Sequence, residues 1–218
     1  MAEKSGAEGR VVVVTGATGD AGLAACVALG AAGAHVVAVG SRIERLAGVE
    51  AAHRFACDLT DADAVIELAQ AVHDEVGQVD GVMHLVGGWR GGQSDEDWVF
   101  LESHIVDTLR HVSRAFRPDL TASTAGRLAV VSSTAVDRPT WSNANYATTK
   151  AAAETWVAAL ASGWAKAGTA AAVTFVVTSI GDGDGATAPS VIADAVASLW
   201  SEPASAINGA RRSLVPPA

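Results

Sequence analysis

A three-layer αβα architecture around a parallel sheet is the fold class this sequence predicts, and two observations carry it. Short β-branched runs alternate with longer alanine-rich helical patterns along the chain, the arrangement of repeated βαβ units. Several of those runs are apolar almost throughout, as in strands covered by helices on both faces. The class is therefore α/β, a doubly wound parallel sheet of Rossmann type. The 218 residues suffice for one such domain with a sizeable core, and no Pro-, Ser- or charge-rich linker divides them. Residues 1–9 are expected to form a flexible N-terminus and residues 10–218 a single domain, with the C-terminal VPPA also fraying.

The elements follow in order. RVVVVTG (10–16) is a strand on its four consecutive valines, and AGLAACVALGAAG (21–33) a helix on its alanines and leucines. AHVVAVG (34–40) and the short HRFAC (53–57) are the next strands. TDADAVIELAQAVHDEVG (60–77) is a helix whose opening acids can cap it. VDGVMHLVG (79–87) is a strand, and a helix is expected from about 96 to 116. GRLAVVSS (126–133) is the fifth strand and AAVTFVV (171–177) the sixth, with NYATTKAAAETWVAALASGWAKAG (145–168) the helix between them. SVIADAVASLW (190–200) is the last expected helix.

The first chemical signal sits after the first strand. In VVVVTGATGDAGLAA, Gly16, Gly19 and Gly22 occupy the turn and the start of the following helix. Glycine permits close backbone approach, and free N–H groups at a helix N-terminus attract a pyrophosphate. Asp20 would repel that group, so its side chain is expected to point away or cap the helix. The second strand ends in AVGSRIERL. An acid there would bind the ribose hydroxyls of NAD, whereas Gly40 followed by Ser41 and Arg42 suits the 2′-phosphate of NADP. NADP(H) is thus favoured over NAD(H). Asp58, after the third strand, can bond an adenine amino group or cap the next helix.

Composition limits the partners. Fifteen basic against twenty-four acidic residues give a formal charge of −9, which argues against nucleic acid or an anionic membrane and leaves a small molecule. No apolar run is long enough to span a bilayer. Cys26 and Cys57 stand in apolar settings and MAEKSGAEGR lacks an apolar leader, so a reduced cytoplasmic location is expected. His35, His53, His73 and His111 have no zinc-like spacing, and no metal is expected.

YATTK places Tyr146 and Lys150 four apart, hence side by side on one face of a helix. A nearby ammonium favours the phenolate and brings proton transfer closer to working pH. A serine at the end of the fifth strand would meet that helix at the mouth of a site and could bond a carbonyl oxygen as charge develops on it.

Taken together, TGATGDAG, the DL after the third strand, HLVGG after the fourth, VVSS at the end of the fifth and YATTK resemble the short-chain dehydrogenases/reductases over nearly the whole chain. That resemblance implies an oxidoreductase acting on CH–OH or C=O groups, with Tyr146 as general acid or base, Lys150 lowering its pKa and binding the nicotinamide ribose, and Ser133 holding the reacting oxygen. Ser133 is preferred to Ser132 and Thr134 on its separation from Tyr146. The resemblance also implies cofactor contacts from Gly16, Thr18, Gly19, Asp20, Ala21 and Gly22, from Ser41 and Arg42, from Asp58 and Leu59, from Val86, Gly87 and Gly88, and from Thr178, besides Tyr146 and Lys150. A homodimer or homotetramer is implied as well, with Trp156 and Trp164, eight apart on the Tyr146 helix, expected at the subunit interface.

The chain departs from that family's pattern at several points. The glycine turn is not TGxxxGxG, His84 and Leu85 stand where asparagines are usual, and His104 or Ile105 replaces the asparagine of the water relay. Thr178 and Ser179 replace Pro-Gly, and a short substrate loop is expected at about 181–190. VGGWRGG is similar to a loop of the dihydropteridine reductases, in which Trp89 could stack on a flat ring, with Trp141 as a second wall. Three function classes are left: an NADP(H)-dependent carbonyl reductase or alcohol dehydrogenase, with a dihydropteridine-reductase-like enzyme using NADH as its alternative; a dinucleotide-binding regulator with little turnover; and a structural protein, for which the glycine turn and the YATTK spacing would be coincidences.

Overall fold

The computed structural model describes residues 6–217. Seven strands run parallel in one sheet: β1 Val11–Thr15, β2 His35–Gly40, β3 His53–Ala56, β4 Gly81–His84, β5 Gly126–Ser133, β6 Ala170–Val177 and β7 Arg211–Ser213. The helices are α1 Asp20–Ala31, α2 Ile43–Leu46, α3 Ala62–Val76, α4 Asp95–Leu101, α5 Thr108–Ala122, α6 Ala144–Trp164, α7 Pro189–Ala197 and α8 Ala204–Ile207. The spatial order β3-β2-β1-β4-β5-β6-β7 reverses direction between β1 and β4, which makes that gap the topological switch point. All six expected strands are present, and the sheet is the doubly wound one the sequence predicts.

Apolar strands are needed because both faces of the sheet are covered. Val11 and Val13 belong to the core cluster shared with α3, α5 and α6, among them Val65, Phe116 and Trp164. Val12 and Val14 belong to the opposite cluster with Ala25 and Leu29 of α1 and Ile192 of α7. Side chains alternate along each strand, so every second valine serves one layer.

Several boundaries differ from the sequence reading. Residues 6–9 form a turn that packs on the domain: Ala7 is fully buried and Gly9 N–H donates to the Gly33 carbonyl. The packed chain therefore begins before Arg10. Between α4 and α5 the helix opens into a π-helical stretch, Glu102–Asp107, and α5 then runs through Pro118 to Ala122. β7 and the four-residue α2 and α8 went unread, because RRS, IERL and ASAI are too short to show a period. Asp61 rather than Asp58 caps α3, accepting from the N–H groups of Asp63 and Ala64. No helix among the described residues is long and apolar enough to cross a membrane.

Trp164 is a core residue, with its indole N–H donated to the Thr121 hydroxyl at 2.9 Å. This corrects its expected place at a subunit interface: α6 turns this face toward α5, where a large ring fills the inter-helix space. Trp156 is half-buried and donates to the Ser113 hydroxyl at 2.9 Å, with the Arg110 guanidinium 5.4 Å from its ring centre.

Candidate active site

A cleft of about 1070 Å³ opens at the carboxyl ends of the strands. Its walls come from the turn after β1 (Gly19, Asp20, Ala21, Gly22), the segment after β4 (Leu85 to Trp89), the end of β5 (Ser132, Ser133, Thr134) and the end of β6 (Val177 to Ile180), with Tyr146 and Lys150 projecting from α6. This is where an open α/β sheet binds its ligand.

The three glycines of the first turn have different jobs. Gly16 has φ +72°, and a Cβ there would lie 2.6 Å from the Leu85 carbonyl oxygen. On Gly22 a Cβ would lie 2.2 Å from the Gly16 carbonyl oxygen, so this glycine lets α1 approach the turn. Gly19, the N-cap of α1, is exposed, and its nearest contact for a Cβ is an ordinary 3.5 Å. Nothing in the protein excludes a side chain at Gly19; what it keeps open is the cleft wall at the helix N-terminus. A Cβ on Gly87 would similarly stand 3.6 Å from Lys150 Nζ, against the cleft floor. A helix N-terminus lined by small residues fits a dinucleotide diphosphate. Asp20 does not cap: Gly19 holds that place without a side-chain bond, and Asp20 lines the cleft from the first turn.

Ser133, Tyr146 and Lys150 converge. Ser133 is buried at the last position of β5, its hydroxyl accepting from Ala135 N–H at 3.1 Å and facing the Tyr146 phenol. Lys150 lies one helical turn beyond Tyr146, its Nζ 5.9 Å from the phenol ring centre, and donates to the Val131 carbonyl at 2.8 Å. Burial lowers the lysine to about 8, with Glu154 opposing the shift. Burial also holds the phenol above its ordinary value of 10, and the bond from Ser133 only partly opposes that. The spacing alone suggests that the Lys150 field lowers the phenol; in the structure desolvation is the first influence on it, and one of the three ammonium protons goes to the Val131 carbonyl.

His84, in the usual asparagine position, is fully enclosed between two hydroxyls. Its Nδ1 lies 2.9 Å from Thr15 Oγ1 and its Nε2 lies 3.2 Å from Thr108 Oγ1. Thr108 donates its own proton to the His104 carbonyl, so it accepts from Nε2–H, which leaves Nδ1 to accept from Thr15. Burial, aided by the nearby Lys150 charge, pushes His84 down to about 3. The imidazole is a neutral brace.

The remaining sequence-predicted residues are divided. Val86, Gly87, Gly88, Trp89 and Thr178 line the cleft with the glycine turn. Ser41 and Arg42 are exposed just beyond β2, and Asp58 lies beside them, since Cys57 N–H donates to the Gly40 carbonyl. Asp58 is bonded to Thr60 through its backbone N–H and hydroxyl, which holds its carboxyl below the usual range. Leu59 is buried, its carbonyl 3.1 Å from His111 Nδ1. Thr18 packs toward Gly40: a Cβ there would be 3.5 Å from its methyl. These five do not line the main cleft. Trp141, 79% exposed, stays outside it too, although its carbonyl accepts from Gln93 and ties the Trp89 loop to the start of α6. The Gly92 N–H to Ser142 carbonyl bond and the Asn145 to Ser94 carbonyl bond complete that tie. Asp137, Arg138, Asn143 and Ile180 line the cleft without having been singled out in the sequence; only proximity to Ser133, Tyr146 and Thr178 could have signalled them. Thr187 N–H donates to the Ser179 carbonyl and Gly181 N–H to the Thr187 carbonyl, which folds the expected substrate loop upon itself.

A glycine-lined helix N-terminus at the switch point of a parallel sheet defines the class of Rossmann-type dinucleotide folds. Residues 10–187 match the family model described as short chain dehydrogenase, and the chain belongs to that family. 2,3-Dihydro-2,3-dihydroxybenzoate dehydrogenase of Bacillus subtilis is 31% identical over 160 residues, 68% of this chain and 61% of that protein. D-threitol dehydrogenase of Mycolicibacterium smegmatis is 36% identical over 103 residues, 42% of this chain and 40% of that protein. The matches thus span less than two thirds of either relative. Among solved structures, the aldohexose dehydrogenase of Thermoplasma acidophilum superposes with a TM-score of 0.85 at 20% identity, covering 97% of this chain and 94% of that one. An NAD⁺-bound xylitol dehydrogenase gives 0.82 at 21%, covering 95% and 98%. A Shigella flexneri protein described as a short chain dehydrogenase and complexed with NADP gives 0.87 at 21%, covering 98% and 100%. These likenesses establish the fold.

Proposed function

We propose that the protein is an NADP(H)-dependent oxidoreductase interconverting a carbonyl and an alcohol on a small molecule, as one domain with a short substrate loop at about 181–190. The observation that carries this reading is the convergence of Ser133, Tyr146 and Lys150 on a cleft whose opposite wall is a glycine-lined helix N-terminus. The nicotinamide, when bound, supplies the hydride donor or acceptor. Backbone N–H groups from Gly19 to Gly22 would hold the diphosphate, and Gly87, Gly88 and Thr178 would leave room for the ring. Ser133 orients the reacting oxygen, and Tyr146 gives or takes the proton at that oxygen. Lys150 places a cation beneath the phenol and stabilises the phenolate that forms when the proton leaves.

The NADP preference rests on Gly40, Ser41 and the exposed Arg42, a guanidinium suited to a 2′-phosphate. Both dinucleotides occur among the related structures, so these residues alone favour NADP. Trp89, 71% exposed on the cleft wall, favours a flat or cyclic substrate, and quinonoid pterins and ring dihydrodiols belong in the first panel beside simple ketones. Two free buried cysteines support a reducing, cytoplasmic setting, and assembly into a homodimer or homotetramer is part of the same reading.

The deciding experiment pairs turnover with binding. Tyr146→Phe is expected to lower turnover with NADPH by about 10²–10⁴, while tryptophan-to-nicotinamide fluorescence shows NADPH bound as before. Unchanged turnover removes Tyr146 from the mechanism.

A further inference from the structure

Two buried side-chain oxygens lack any hydrogen-bond partner among the described residues: Ser132 Oγ and Glu154 Oε1. Leaving such atoms unpaired costs about 1–3 kcal/mol each. Both residues line the same small cavity of about 10 Å³, as do Lys150, His84, Ile105, Leu109 and Ala153. That volume is about one water molecule, and a buried water makes two to four hydrogen bonds to otherwise unpaired polar groups. Among the described residues the Lys150 ammonium has one hydrogen-bond partner, the Val131 carbonyl, and two further protons to place. No ion pair within 4.0 Å joins it to Glu154 among the described residues, although the carboxylate raises its proton affinity. A water in the cavity accounts for all three groups.

We propose that one water enclosed between Lys150, Ser132 and Glu154 links the lysine ammonium to the Glu154 carboxylate and makes Glu154 the proton port of the site. This rests on the reading of Lys150 as part of the reacting set. Tyr146, Lys150 and Glu154 occupy successive turns of α6, four residues apart, and therefore share a face. The other carboxylate oxygen of Glu154 accepts from Arg211 Nε at 2.9 Å, and Arg211 also pairs with Asp137 at 3.0 Å. Arg211 reaches across from β7 and fixes the carboxylate with one oxygen turned inward. The side chain of Glu154 is 17% exposed while its Oε1 is buried, so the residue stands between the cavity and bulk water.

The proton balance is simple. As the ammonium gives a proton to the water, the water gives one to Glu154, leaving an amine, a water and a carboxylic acid; the acid then releases its proton to solvent. The titratable and charged groups around this route are Tyr146 and Glu154 on α6, His84 on β4, Arg211 on β7 and Asp137 after β5. His84 is already neutral and adds no competing cation.

The chain has three lysines, Lys4, Lys150 and Lys166, so protein labelled with ¹³C at lysine Cε gives three resolvable titrations without cofactor or substrate. Glu154→Gln is expected to lower the Lys150 midpoint by on the order of one pH unit and to slow exchange of its ammonium protons with solvent at least tenfold. Glu154→Asp, which keeps the charge, should restore most of the midpoint. Ser132→Val fills the cavity while leaving Glu154 charged and should slow the exchange as Glu154→Gln does. Unchanged urea unfolding of each variant reports an intact fold. A Lys150 midpoint and exchange rate indifferent to Glu154→Gln, or an exchange rate indifferent to Ser132→Val, overturns the proposal. Because no turnover is measured, a failure here is separate from a failure of the Tyr146→Phe test.

Discussion

At the scale of single residues, the glycine turn separates folding from binding. Gly22→Ala drives a Cβ to 2.2 Å from the Gly16 carbonyl oxygen, an overpacking that is expected to cost about 1–3 kcal/mol in urea unfolding. Gly19→Ala meets nothing closer than 3.5 Å and is expected to leave unfolding within about 0.5 kcal/mol while weakening NADPH binding at the cleft wall. If Gly19→Ala costs as much in urea unfolding as Gly22→Ala and leaves NADPH affinity unchanged, the assignment of roles is reversed. Tyr146 offers an equally direct test because it is the chain's one tyrosine. Burial raises its pKa above 10 and the Ser133 hydroxyl pulls it down, so absorbance at 295 nm should show a single ionisation above pH 10, and Ser133→Ala should move it higher. A midpoint at or below 10 would mean the Lys150 field outweighs burial after all. The sequence reading chose Lys150 as the dominant influence since spacing reveals proximity but says nothing of desolvation.

At the scale of elements, what was legible followed from period and length. β1 through β6 and the long helices announced themselves by continuous apolar runs and alanine-rich stretches, because a strand buried on two faces has no polar side to hide. The end of α5 did not. Pro118 removes an N–H and normally stops a helix, yet α5 continues to Ala122 and buries Phe116 and Leu120 in the core. Packing there outweighs local propensity. The convergence of Ser133, Tyr146 and Lys150 was legible through spacing, whereas Glu154 shows no such signal although it stands four residues after Lys150, the same interval that singles out Tyr146. Its role depends on which way a carboxylate turns, which sequence does not encode. Trp164 is the element-scale test: it joins α6 to α5 from full burial, and Trp164→Ala is expected to destabilise the domain by about 3–5 kcal/mol in urea unfolding. A loss below about 1 kcal/mol would place the ring outside the core, where an interface role would again be open.

At the scale of the molecule, the sheet order is what turns local motifs into one site. The turn after β1 and the segment after β4 are adjacent only because the chain reverses its direction of winding between them, and β5 then delivers Ser133 beside α6. A dinucleotide spanning this edge would touch segments from β1, β2, β4, β5 and β6 together, and it would bind the folded chain alone. Binding must therefore raise the unfolding temperature. At a hundredfold excess over its dissociation constant a ligand adds about 2.7 kcal/mol, which for a chain of this size is about 5–10 °C. Thermal unfolding with NADPH and with NADH, in wild type and Arg42→Ala, then separates the readings. A larger shift with NADPH at equal concentration, reduced by Arg42→Ala toward the NADH value, supports the 2′-phosphate role of Arg42 and its place beyond β2. Equal shifts that Arg42→Ala leaves alone would assign the adenosine end to other groups. No shift with either would mean that the cleft holds something other than a dinucleotide, despite its glycine wall and its place at the switch point.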